Sequence, residues 1–131
     1  MHYDTFVGEV QHRLELGTEG EAVRATRVVL EAFGQRLGEG EASDLAANLP
    51  MEIDRYLTEA DSGQQFSYQA FLERVAEGAN VDETDAQFYA QAVFELVDEC
   101  AQANETEQVQ AQLPDDFDPL FEFVDSESTP W

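Results

Sequence analysis

The chain has 131 residues, 43% of them hydrophobic and with nine Phe, so it is long enough for one domain with a real core and too apolar for intrinsic disorder. Its 29 Asp and Glu face only six basic residues, all Arg, for a net charge of -23, which leaves no basic patch to displace phosphate counterions and excludes direct nucleic-acid binding. A single cysteine excludes an internal disulfide framework, and no apolar run reaches the roughly 18 to 20 residues that span a bilayer.

Tyr3, Phe6, Val7, Val10 and Leu14 recur at helical spacing with Glu9 and Arg13 opposite, which predicts an amphipathic helix over about 3–15, closed by Gly17. Thr18-Glu-Gly-Glu21 has the spacing of a capping box for a long helix over about 19–37. Ala22, Thr26, Val29, Leu30, Phe33 and Leu37 form its stripe, and Val28 widens it for two neighbours. Gly38 and Gly40 are expected to end it through a left-handed cap. Leu45 and Leu49, with Ala42 and Ala46, then make a narrow seam before Pro50, which suits the first turn of a short helix carrying Ile53, Tyr56 and Leu57.

Residues 58–66 have linker composition, with Ser62-Gly63 as the expected turn. Tyr68, Phe71, Leu72 and Val75 restart the helical pattern. Asp82 caps a second long helix whose stripe is Ala86, Tyr89, Ala90, Val93, Phe94 and Val97. Asn104 stands at a boundary that needs unusual backbone angles, Val109 and Leu113 make a second seam, and Phe117, Leu120 and Phe121 follow Pro114. Pro119 should kink or restart that last helix, and the tail 125–131 is polar apart from Trp131.

One stretch occurs twice, Glu41-Ala-Ser-Asp-Leu45-Ala-Ala-Asn-Leu49-Pro50 and Glu105-Thr-Glu-Gln-Val109-Gln-Ala-Gln-Leu113-Pro114. Because 105 minus 41, 109 minus 45, 113 minus 49 and 114 minus 50 all give 64, an internal duplication is the simplest account. The expected architecture is all-α: a single domain over 1–131, a helical bundle of about eight helices built from two similar four-helix halves, 3–57 and 68–121. Each half alone buries too little, so the halves should share one core around the two long helices.

Chemistry is scarce. Glu9-x-x-His12 is the one pattern resembling a metal-binding helix, but the position matching His12 is Glu77, so no second pair completes a metal site. His2 is weaker still. Close carboxylate pairs such as Asp115 with Asp116 arise by chance among so many acids, and no calcium-loop, phosphate-loop or nucleophile motif is present. Cys100 reads as a small buried thiol, since its neighbours Asp98 and Glu99 are negative. No catalytic, cofactor-binding or metal residue is therefore assigned. Arg24, Arg27 and Arg74 are scarce cations expected to pair with carboxylates at helical spacing, as Arg27 with Glu31. The candidates for contact with a partner are Phe88 and Phe123, which lie beside their stripes, and Arg24 and Arg27.

Phe71-Leu-Glu-Arg-Val-Ala, Ala25-Thr-Arg-Val-Val-Leu-Glu, Gly40-Glu-Ala-Ser-Asp-Leu-Ala-Ala-Asn-Leu-Pro50 and Leu113-Pro-Asp-Asp-Phe117 together resemble the uncharacterised two-repeat helical family known as domain of unknown function 2267, over residues 3–123. The resemblance implies a helical domain of two similar halves and supplies no catalytic residue. Asn104 to Gln110 and Pro119 depart from its pattern.

The acids are spread over both halves, which points to a salt-adapted cytoplasmic protein of the halophilic archaeal kind. The N-terminus has neither the basic start nor the apolar block of a signal peptide, so a soluble intracellular protein is expected. With no basic patch, spanning run or cofactor motif, no nucleic acid, membrane or cofactor is expected. The leading expectation is a non-enzymatic protein-interaction or regulatory module, possible as a homodimer. Two alternatives stand beside it: an acidic decoy or chaperone-like binder of a basic partner, and an enzyme or metal protein with a pocket between the halves.

Overall fold

The structure, a computed structural model, describes residues 1–102 and 104–121. Among the described residues there are eight α-helices, one 3-10 turn and no strand: α1 (Tyr3–Arg13), α2 (Glu19–Arg36), α3 (Glu39–Ala46), α4 (Met51–Thr58), α5 (Tyr68–Ala79), α6 (Glu83–Cys100), α7 (Glu105–Gln112), the turn Asp115–Phe117 and α8 (Asp118–Phe121). The all-α expectation holds.

The long helices carry the wide apolar stripes, and these decide their place. Ala22, Thr26, Val29, Leu30, Phe33 and Leu37 are all buried, and Val28, Ala25 and Ala32 extend the buried surface of α2. So wide a surface must be covered from several sides. Helices α1, α4, α5 and α6 all pack on α2. Thr26 has no polar partner on that apolar side and turns its hydroxyl back to the Ala22 carbonyl, 2.8 Å away. The two Leu-Pro segments also work as seams: Leu45, Leu49, Val109 and Leu113 are buried, and α3 lies against α7. Each segment turns the chain so that the next short helix covers a long one, α4 on α2 and α8 on α6.

Six ring pairs tie the core together. Phe33 of α2 meets Phe71 of α5 at 5.0 Å and Phe94 of α6 at 5.2 Å between centroids. Phe71 continues to Tyr68 and Phe117, and Phe94 to Phe121. Early and late residues therefore share one hydrophobic cluster.

Helix starts follow the sequence closely. The Thr18 hydroxyl accepts from the Glu21 amide, and the Asp82 carboxylate accepts from the Asp85 amide. Asn104 takes the left-handed backbone expected of it, with φ 77°. Helix ends do not follow it. Gly17, Gly38 and Gly40 have no left-handed backbone; Glu15, at φ 52°, makes the turn after α1, and Leu37 ends α2 in extended conformation. The chain leaves α2 extended because α3 starts at once, with Gly38 as its N-cap. Pro119 does mark a restart: a 3-10 turn precedes α8, and Pro119 sits in its first turn, where its missing N–H costs nothing.

The segment 58–66 is fixed to α2 by backbone bonds, Gly63 N–H to the Leu37 carbonyl and Gln64 N–H to the Gln35 carbonyl. Gly63 makes the turn at φ 78°. Gly34 lets α4 close onto α2, because a Cβ there would strike the Leu57 carbonyl oxygen. At the start of α5, Ser67 caps the Ala70 amide, and Asp116 reaches back to accept the Tyr68 amide at 2.9 Å. Asp116, dismissed in the sequence as one of a chance carboxylate pair, is a helix cap 48 residues away in the chain.

Candidate functional site

Arg24, Arg27, Glu31 and Gln35 are spaced three and four apart, so they share the side of α2 that the core leaves uncovered. Helix α5 runs beside that strip, closest at Gly78, where an added Cβ would stand 2.7 Å from Val28 Cγ1. Between the two helices lies a groove of about 510 Å³ lined by Arg27, Glu31, Gln35, Arg74 and Glu77 over a floor of Val28, Ala32 and Gly78. Glu31 and Gln35 also border a second hollow of about 360 Å³, which Arg55 and Tyr56 of α4 complete with Glu59, Ala60 and Asp61 just after it. Four of the six arginines therefore lie along one side of the molecule, on or beside these hollows.

Arg74 is the most constrained of them. Its guanidinium lies 3.9 Å from the Phe66 ring centroid, and Nη1 donates to Gln35 Oε1 at 2.8 Å and to Gln64 Oε1 at 3.1 Å. Its Nε and Nη2 donate to nothing among the described residues, and it forms no ion pair there. Arg24 also differs from the expected helical-spacing pair: its Nε donates to the Gly78 carbonyl at 3.1 Å and so serves the end of α5. Only Arg27 meets the expected carboxylate, with Nη1 3.6 Å from Glu31 Oε1 and both side chains 43% exposed. Arg36 is buried, donates from Nε to the Phe66 carbonyl at 2.8 Å and lies over the Phe117 ring at 5.3 Å.

The opposite edge is arranged differently. Arg13 of α1 meets three carboxylates, Glu9 at 3.8 Å, Glu95 at 3.5 Å and Glu99 at 3.2 Å. With Glu9 drawn to Arg13, the Glu9-x-x-His12 pattern is occupied by an ion pair, and among the described residues no three metal-ligating side chains converge.

Phe88 is 40% exposed on α6. Thr84 and Asp85, one turn back, are exposed and polar, while Gln91 and Ala92, one turn on, are buried, so its own helix extends no apolar patch around it. Phe123 lies outside the described residues, as does the tail 125–131. Among the described residues Met1 and Met51 are the other exposed large hydrophobics, and both border a hollow with His2, Tyr3 and Glu52.

Burial pushes Tyr3, Tyr89 and Cys100 upward, and none of these lines the α2–α5 groove. The Tyr3 phenol is raised by burial and then by Glu19, and the Tyr89 phenol by burial, Asp85 and Glu21. The half-buried Cys100 thiol is raised by burial, against the pull of the N-terminal ammonium, with Glu99 raising it further. That makes it a poor nucleophile at neutral pH. The α2–α5 groove places the forked donors of Arg27 and Arg74 beside the carboxylates Glu31 and Glu77 and the Gln35 amide.

Sequence reading found Arg24 and Arg27 but not the groove. The 24, 27, 31, 35 spacing is visible along α2, whereas nothing local says that Arg74 and Gly78 come to lie beside it. A family model described as "Uncharacterized conserved protein (DUF2267)" matches residues 3–120. No curated protein matches the chain.

Proposed function

The chain belongs to the DUF2267 family of uncharacterised conserved proteins, and we propose that it is a non-enzymatic protein-interaction or regulatory module that engages its partner through the α2–α5 side. The observation that carries this reading is the gathering of Arg24, Arg27 and Arg74, with Arg55 close by, on one side of a chain whose net charge is -23. Scarce cations concentrated at one groove make that side electrostatically distinct from the rest of the surface. Exposed acids, by contrast, occur on Asp4, Glu21, Asp44, Glu52, Glu73 and Asp85, one on each of the first six helices. That spread supports a surface adapted to high salt over an acidic decoy with one charged side. Use in the cytoplasm of a halophilic archaeon, and assembly as a homodimer, belong to the same reading.

Internal duplication is part of the proposal. It is supported by the equal lengths of α2 and α6, 18 residues each, with starts at Glu19 and Glu83. It is also supported by the contact between the two Leu-Pro segments through α3 and α7.

Affinity capture from a native host at molar salt, comparing the unchanged protein with the double variant Arg27→Glu, Arg74→Glu, tests the partner reading. The unchanged protein should retain a discrete set of partners that the equally folded variant loses. Capture indifferent to the double change would remove the α2–α5 side from consideration. For the salt reading, circular dichroism should show loss of helix as salt falls from molar to millimolar, because self-repulsion is then unscreened. Equal stability at both ends would refute it.

A further inference from the structure

We propose that the α2–α5 groove recognises carboxylate: Arg74 grips an Asp or Glu side chain of an acidic protein segment through its Nε–Nη2 edge, and Arg27 exchanges Glu31 for a second carboxylate of that segment. The inference rests on the interaction reading and names its ligand.

Arg74 is held in the way a preorganised anion site requires. Phe66 covers one face of the guanidinium, and the two glutamine oxygens share Nη1, so two contacts fix the plane without neutralising it. The remaining Nε–Nη2 edge is the pair of parallel donors that fits a carboxylate bidentately. In a chain with 29 acids, the groups that bond this arginine are amides; Glu31 and Glu77 line the same groove without forming an ion pair to it among the described residues. A guanidinium oriented by neutral partners keeps its full charge for a ligand, whereas one held by carboxylates, as Arg13 is, does not.

Arg27 supplies the exchangeable half. Its distance to Glu31 is longer than a hydrogen bond, and both side chains are 43% exposed, so the pair contributes little and opens at little cost. The lining carboxylates Glu31 and Glu77 then select among anions. A polyphosphate or nucleic-acid backbone would bring closely spaced charges against both of them, while a peptide with separated carboxylates can address the arginines and leave the glutamates facing its neutral residues. The second hollow is bordered by Arg55 but also by Glu31, Glu59 and Asp61, so the acidic segment is assigned to the α2–α5 groove alone.

The test is a titration of the full chain at molar potassium chloride, read from the arginine side-chain Nε–H signals, of which there are only six. The probes are a short peptide of glutamates separated by glycines, its glutamine-for-glutamate counterpart, free glutamate and inorganic phosphate. The spaced-glutamate peptide should move the Arg74 and Arg27 signals saturably and leave Arg13 unmoved, while the glutamine counterpart moves none. Arg74→Gln should weaken binding about tenfold or more, and Arg74→Lys should weaken it also, because the fork and not the charge alone does the holding. Both variants should keep the helical circular dichroism of the parent. Phosphate moving these signals where the peptide does not would overturn the carboxylate assignment, as would equal movement of Arg13. Free glutamate acting as well as the peptide would overturn the claim of a protein segment. If no probe moves Arg74 yet partner capture still depends on the α2–α5 side, the carboxylate proposal falls and the interaction reading stands.

Discussion

Arg13 and Arg74 are both half-buried arginines in a carboxylate-rich chain, yet their surroundings are opposite. Arg13 joins α1 to α6 through Glu95 and Glu99, which lie one helical turn apart and face it together. Arg74 joins α5 to α2 and to the 58–66 segment through Gln35, Gln64 and Phe66. An abundance of acids does not by itself neutralise a cation; the packing of helices decides which acids can reach. The Arg13 edge is a closed charge network that holds the fold, and the Arg74 groove is a charge held open.

Removing Arg13 is the largest test of that contrast. Arg13→Ala removes the charged contacts to Glu95 and Glu99 that join α1 to α6, which should cost about 2 kcal/mol in urea denaturation at molar salt. If Arg74→Ala cost as much, the two sites would not differ in kind. Gly78→Ala probes the floor of the groove: the new methyl would stand 2.7 Å from Cγ1 and 3.2 Å from Cγ2 of Val28, so that stiff side chain or α5 itself must shift. A net loss of about 1 kcal/mol is expected even after the gain in helix propensity, and a stabilised variant would mean that α5 can move away from α2. Arg74→Gln should cost less than about 1 kcal/mol, the value of a cation–π contact at a partly exposed site. Its effect on ligand binding should far exceed its effect on stability. Arg27→Gln should change stability by no more than about 0.5 kcal/mol.

Cys100 gives the finest reading of the closed edge. Burial holds its thiol above the usual range, so iodoacetamide should modify it more slowly in the folded protein than in urea at the same pH. The associated stability is present below the unfolded thiol pKa and is lost as pH rises through the higher folded value. Arg13→Ala should speed the modification by loosening α1 from α6, and an unchanged rate would confine the role of Arg13 to its own carboxylates.

What could be read in the sequence was whatever is written within a turn or two of helix. The stripes of α2 and α6, the caps Thr18 and Asp82, the turn at Gly63 and the Arg27–Glu31 pair all depend on residues a few positions apart. Contacts that depend on where one helix comes to lie beside another could not be read. Arg13 meets Glu95 and Glu99 from 82 and 86 residues away, and Arg24 meets the Gly78 carbonyl from 54. Gly34 and Gly78 look like weak points in their helices until the neighbour that needs their missing side chain is in place. The helix ends failed for a different reason: glycine at 38 and 40 suggested a left-handed stop, but starting α3 directly after α2 requires extended backbone there.

The cap that Asp116 places on the Tyr68 amide has a consequence for the order in which the protein is made. A ribosome completes α5 well before it reaches residue 116, and Phe117, which packs on Tyr68 and Phe71, arrives one residue later. During that interval the start of α5 has its local Ser67 cap and Phe33 against Phe71, but nothing from residues 116–117 over Tyr68. Closure over α5 must then wait for that later stretch, so a released chain truncated before residue 115 should remain open to protease near the start of α5, and the full chain should not.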